Sequence, residues 1–217
     1  MNDMLTRANT LESRCTALEA RLYAAHIADL EITSLTYLDA ANWHFRDATL
    51  TACRLLVLYA LSLAAYKPAK RAAILAWLQQ QALLPLLTPK EKAFLQSNAT
   101  DAKSLAKYSW SLEGAYMLAW ALDLVPTAPN AASEAPIDSL LPHIPHLGAE
   151  TLSFVQHCRY RGTEELVEES IFNDLAVMHL RRLYEQGART VQQLHPMALY
   201  ERRKALKWIT AGRPQQA

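Results

Sequence analysis

The stretch Trp110-Ser111-Leu112-Glu113-Gly114-Ala115-Tyr116-Met117-Leu118-Ala119-Trp120-Ala121-Leu122 sets a single carboxylate among aromatic and aliphatic residues. Trp110, Glu113, Met117 and Trp120 lie at i, i+3, i+7 and i+10, so on a helix they share one face. Glu113 then points where the tryptophans point. A carboxylate on an apolar face has to be paired or protonated, so the stretch reads as a core helix carrying a buried polar contact. Gly is scarce, at 5 residues, while Ala and Leu abound. That composition favours helices over a sheet with many tight turns. The expectation is an all-α fold: a single-domain helical bundle of about eight helices spanning residues 1–217.

Working outward, the most apolar run is Leu55 to Tyr66, broken only by Ser62 and preceded by Arg54. Asp47 can cap a helix running to about Tyr66. A membrane span needs about 20 apolar residues; the run is shorter, and a buried central helix is the better reading. Arg54 shares a face with Leu50, Leu58 and Leu61 and has the same problem as Glu113. An Arg54–Glu113 ion pair between two central helices (47–66 and 101–124) is the economical expectation, because a planar guanidinium can grip a carboxylate through two hydrogen bonds. The last helix, from Pro196 to before Gly212, repeats the pattern: Leu199, Arg202, Leu206 and Ile209 share a face that includes a charge, with Glu201 beside it.

The remaining punctuation is clear. Pro68 opens a helix over 69–81, and Thr88-Pro89-Lys90-Glu91 is a capping box. Leu11, Cys15, Leu18, Leu22 and Ala25 make an amphipathic N-terminal helix over about 3–27, suited to packing on the domain or on a second copy as a homodimer. Residues 30–38 admit a short strand. Pro126, Pro129, Pro136, Pro142 and Pro145 mark a proline-rich connection over 125–147, with a helical turn near Ile137 to Leu141. From Thr163 to Gln186 a long helix carries Glu164, Glu165, Glu168 and Glu169 early and Arg181 and Arg182 late, in the order that complements the helix dipole. Its apolar face reads Val167, Ile171, Leu175, Met178.

These blocks resemble the bacterial domain of unknown function family 4272. The Trp110–Glu113–Trp120-Ala-Leu block resembles its central signature. Arg46 and Arg54 have the spacing of its paired arginines, Leu87-Thr-Pro-Lys-Glu91 with Phe94-Leu95 resembles its Leu-Thr-Pro-x-Glu turn, and Glu201-Arg202 with Ala205-Leu206 and Trp208 resembles its Glu-Arg…Ala-Leu-x-Trp ending. The resemblance covers about residues 43–210. It departs in the stretch Asp174 to Arg182, which lacks the family's Tyr-Arg pair and Trp, and beyond Trp208, where the acidic Trp-Asp tail is absent. It implies an all-helical bacterial protein and no particular activity.

The formal charge of +1 commits the chain to neither nucleic acid nor membrane. Cys15, Cys53 and Cys158 are an odd, widely spaced set that reads as reduced thiols in a cytoplasmic protein. The N-terminus carries no apolar signal core, and Asn98-Ala99-Thr100 matches a glycosylation acceptor that secretion alone would make meaningful. No metal site or cofactor is expected: His143 and His146 lack further ligands, and His157-Cys158 point about 100° apart on a helix, so Cys158 reads as a buried thiol. His179 and His195 read as solvated. From Arg181 onward, Arg181, Arg182, Arg189, Arg202, Arg203, Lys204, Lys207 and Arg213 face only Glu185 and Glu201.

Three functions follow as expectations. The first is a non-catalytic helical module that binds another protein, such as an immunity- or antitoxin-like inhibitor or an adaptor. The second is a small-anion binder or unusual enzyme using Arg46, Arg54, Glu113, Glu201 and Arg202 within an aromatic frame of Trp110, Trp120 and Trp208. The third is nucleic-acid binding through the basic C-terminal face, weakened because no aromatics interleave with its charges. For the charged cluster itself, a buried network that fixes helix register competes with a polar cavity, and structural ion-pair networks give the same sequence pattern.

Overall fold

The computed structural model describes residues 2–27, 30, 32, 34–97, 101–188 and 193–210. The fold is all-α, and no strand occurs among the described residues. The helices are α1 (Asn2–Ala24), α2 (Ala48–Tyr66), α3 (Arg71–Gln80), α4 (Pro89–Gln96), α5 (Ala102–Ser109), α6 (Ser111–Ala121), α7 (Ile137–Leu140), α8 (Leu152–His157), α9 (Thr163–Glu185) and α10 (Pro196–Thr210). Residues 35–37, where a strand was admitted, form a 3-10 turn capped by Ser34; residues 31 and 33 lie outside the described ones, as do Asn98-Ala99-Thr100, Arg189 and Arg213.

The described residues form two compact units. One comprises Met1–Phe45, Asn130–Glu134 and Arg161–Ala217, the other Arg46–Pro129 and Ala135–Tyr160.

The second unit is organised around α2. Asp47 caps it by accepting the N–H groups of Thr49 and Leu50, and α3, α4, α5, α6 and α8 pack against it. Leu55, Leu56, Val57 and Leu61 are fully buried, each worth about 1.5–3 kcal/mol of transfer free energy. At 19 residues and a mean hydropathy of 1.7, α2 is long and apolar enough to cross a membrane by composition, while 67 % of that window is buried among its own neighbours. Burial, rather than length, marks it as a core helix.

The expected single helix over 101–124 is two. The Ser109 hydroxyl donates to the Ala106 carbonyl at 2.8 Å, the acceptor that an unbroken helix would offer to the Trp110 N–H. The Glu113 N–H then bonds three residues back, to Trp110, and α6 restarts at Ser111. The proline-rich connection is well anchored in this unit: Leu140 and Ile144 are buried, and Tyr116 Oη lies 3.3 Å from Ser139 Oγ. The helix α8 that follows it had no clear sequence signal. Its approach is fixed by α3, where the Trp77 indole N–H donates to Ala149 and Gln81 accepts both the N–H and the hydroxyl of Thr151.

In the first unit α9 packs against α1 and α10. The α1 seam of Cys15, Leu18 and Leu22 is buried with Phe172, Ala176, Val177 and Leu180 of α9. The buried stripe of α9 is rotated from the expected one: Met178 is 43 % exposed, while Glu169, Ser170, Asn173 and His179 are buried. His179 is therefore an interior residue, against expectation. Most of the stripe's polar atoms have partners, with Asn173 Oδ1 the exception among the described residues. Glu169 receives Arg21 at 2.6 Å and Asn173 at 2.7 Å, and Ser170 donates to Leu166. The early glutamates of α9 do more than answer the helix dipole, since Glu164 and Glu168 also hold Arg14.

Candidate functional site

The charged residues singled out in the sequence divide between the units. In the second unit Arg54 is paired with Glu91, not with Glu113. Its Nη1 and Nη2 donate to Glu91 Oε2 and Oε1 at 2.9 and 2.6 Å, and Nη1 also reaches the Leu86 carbonyl at 3.0 Å. Both side chains are about nine-tenths buried. Glu91 does double duty, because it is also the third residue of α4, closes the capping box and accepts the Thr88 N–H at 2.8 Å. Burial alone would raise the Glu91 carboxyl. The hydrogen bonds and charge of Arg54, with the Thr88 N–H, outweigh that and hold it below its ordinary value of 4.5.

Glu113, 3 % exposed, accepts the Ala135 N–H at 2.8 Å and so fastens the middle of the proline-rich connection in its unit. Arg46 is half-buried just before the Asp47 cap, and its charge partly offsets the burial that raises the Tyr160 phenol. Trp120 is buried and Trp110 half-buried between α5 and α6.

In the first unit Arg202 is 1 % exposed and donates to the carbonyls of Asn130 and Ser133, both at 2.7 Å. Glu201 pairs with Lys204 on the next turn, and Trp208 is half-buried. The basic residues of α10 thus do not form one face, since Arg202 points inward. The motif residues Arg54, Glu91, Glu113 and Arg202 all act as pins on the chain's own backbone or side chains.

Two concavities among the described residues bear on function. In the second unit a cleft of about 440 Å³ is lined by Leu122, Asp123, Leu124, Ser153, Phe154, His157, Cys158, Arg159 and Tyr160. Its reactive groups are engaged. Burial pushes the Cys158 thiol up to about 11, so it is almost entirely un-ionised at neutral pH. His157 Nδ1 lies 2.7 Å from the Ser153 carbonyl; a carbonyl cannot donate, so Nδ1 carries the proton and ties the ring to the α8 backbone. Arg159 donates to Gln156 and Cys158, and Tyr160 Oη bonds Thr51. Among the described residues no group of three His, Cys, Asp or Glu side chains could hold a metal ion.

The other is a groove of about 300 Å³ in the first unit, lined by Trp43, Ser170, Asp174, Arg203, Leu206, Lys207 and Thr210. Trp43 is locked as one wall: its indole N–H donates to Tyr37 at 2.8 Å and its ring stacks on Phe45. Asp174 of α9 accepts Nε of Arg203, with Lys207 Nζ 3.5 Å away. The spacing of four places Arg203 and Lys207 on one edge of α10. Arg203 spends only Nε on this contact, and its terminal nitrogens make no hydrogen bond among the described residues. The sequence hid this site because its members come from three segments, and Asp174 carries no local signal.

No curated protein and no solved structure gives a significant match to the chain. A family model does, over residues 14–216, a span that takes in all of α9 and the C-terminal part of α1 as well as the four motifs; the chain belongs to that family, described as the domain of unknown function DUF4272.

Proposed function

We propose that this chain is a non-catalytic helical module of the bacterial cytoplasm that binds another protein, as an inhibitor of the immunity or antitoxin kind or as an adaptor. The observation that carries this reading is the groove of Trp43, Asp174, Arg203 and Lys207. It is about 300 Å³, at the low end of small-molecule sites and well matched to one or two side chains of a partner. It combines a fixed aromatic wall with unspent arginine donors, the residue types that anchor protein interfaces.

The alternative of an anion-binding or enzymatic cavity needs Arg54, Glu113 and Arg202 to face a ligand. Their hydrogen bonds to Glu91, to the Ala135 N–H and to the Asn130 and Ser133 carbonyls favour a scaffold role instead. Native mass spectrometry of the protein isolated gently from its own host tests the reading. The expected result is a stoichiometric protein partner. A bound small molecule or nucleotide with no partner would overturn it.

A further inference from the structure

Resting on that reading, we infer that the groove of the first unit takes the carboxylate of an acidic side chain from the partner protein, with an apolar neighbour of that residue lying on Trp43 and Leu206. The lining sets one carboxylate, Asp174, against two cations, Arg203 and Lys207. The groove therefore carries one surplus positive charge, and a monoanion neutralises it. A phosphate dianion would overshoot beside Asp174 and pay like-charge repulsion.

Geometry agrees with charge. Asp174 holds Arg203 through Nε alone, which fixes the guanidinium plane and leaves the two terminal nitrogens, the edge that grips a second carboxylate in parallel hydrogen bonds. The Arg203 side chain is 21 % exposed, enough to be reached from solvent and shielded enough to strengthen a charge-assisted bond. Lys207, 53 % exposed, supplies an adjustable second cation at the rim. Ser170 and Thr210 hydroxyls are already turned to helix carbonyls, so the anion's donors are the two basic side chains.

The test is an NMR titration of the full chain with the capped tripeptides acetyl-Leu-Glu-Leu-amide and acetyl-Leu-Gln-Leu-amide, and with inorganic phosphate. The readouts are the Arg203 Nε–H and the Trp43 indole N–H resonances. The Glu peptide is expected to shift both saturably and to bind about tenfold or more tightly than the Gln peptide, the usual worth of a charge-assisted pair. Lys207→Met, which removes a cation whose only ion pair among the described residues is the long one to Asp174, should weaken the Glu peptide and leave the Gln peptide unchanged. Arg203→Met, checked for an unchanged melting curve, should abolish the difference.

Equal binding of the two peptides, no binding of either, or tighter binding of phosphate each overturns the inference. Native mass spectrometry of Arg203→Glu separates it from the broader reading. A partner retained in full by that variant ends the groove assignment and leaves the protein-binding module standing, whereas a wild-type chain with no partner ends the module itself.

Discussion

Two arginine–carboxylate contacts in this molecule use the same chemistry to opposite ends. Arg54 in the second unit gives both terminal nitrogens to Glu91 and one of them also to the Leu86 carbonyl, with both side chains about nine-tenths buried. Arg203 in the first unit gives only Nε to Asp174, which is 38 % exposed and shared with Lys207. A guanidinium whose fork is filled inside the protein is part of the scaffold. One that is held by its side edge, over a groove with an aromatic wall, is oriented and still has donors to offer. The difference lies in what the second partner of each arginine is, and a sequence does not print that.

The comparison breaks first if Arg54 is dispensable. Arg54→Met leaves the Glu91 carboxylate buried without its cation, and removing one member of such a pair costs about 3–5 kcal/mol. Chemical denaturation should show that loss, together with weakening of the α4 start, because Glu91 also serves the Thr88 cap. The double variant Arg54→Met/Glu91→Gln should recover part of the loss, since no charge is then stranded. A single variant with unchanged stability would mean that the pair contributes nothing.

Acid gives the next largest effect. Glu91 has a folded value below its ordinary 4.5, so the unfolded chain takes up its proton first as pH falls. The stability it contributes is complete above the unfolded value and drains away as pH drops through the lowered folded one. Denaturation midpoints measured between pH 3 and 6 should fall less steeply in Glu91→Gln than in the wild type. Parallel curves would show that the carboxylate is not held by Arg54.

Much of the scaffold was legible because its signals are local. The Asp47 cap, the Thr88–Glu91 box and the Leu199, Arg202, Leu206 and Ile209 face of α10 are each set by residues within a few turns, and the structure keeps them. The Arg54–Glu113 pairing failed for a physical reason. Helix period says that Arg54 needs a carboxylate, but not which of the buried ones the tertiary fold brings within 3 Å; the capping box accounts for Glu91 locally and hides its second partner. On α9 apolarity alone points to the wrong face, because Glu169 is buried against Arg21 and the Asn173 amide nitrogen is buried against the Glu169 carbonyl. The groove was not legible as a site. Arg203 and Lys207 show only as part of a basic run, and Trp43 and Asp174, which complete the lining, are separated from them by long stretches of chain and carry no local signal.

A third outcome concerns Arg203 directly. Arg203→Met should change stability by at most about 1 kcal/mol, the range of partly exposed pairs, while removing the preference for the Glu peptide over the Gln peptide. A loss as large as that of Arg54→Met would place Arg203 among the scaffold arginines and remove the contrast on which its binding role rests.

The smallest effect is the most discriminating, because it uses salt in place of a new side chain. Double-mutant cycles on Arg54/Glu91 and on Arg203/Asp174 isolate each coupling from the rest of the protein. Raising the ionic strength to about 1 M shortens the screening length to about 3 Å. Ions can approach Asp174 and Lys207, which are open to solvent, but not the enclosed Arg54 fork. The Arg203/Asp174 coupling, of about 0.2–1 kcal/mol at low salt, should vanish, and the Arg54/Glu91 coupling should persist. If both decline together, solvent reaches both pairs and Arg54 is as available to a partner as Arg203. If neither declines, the groove is closed to small ions and therefore to the acidic side chain proposed for it.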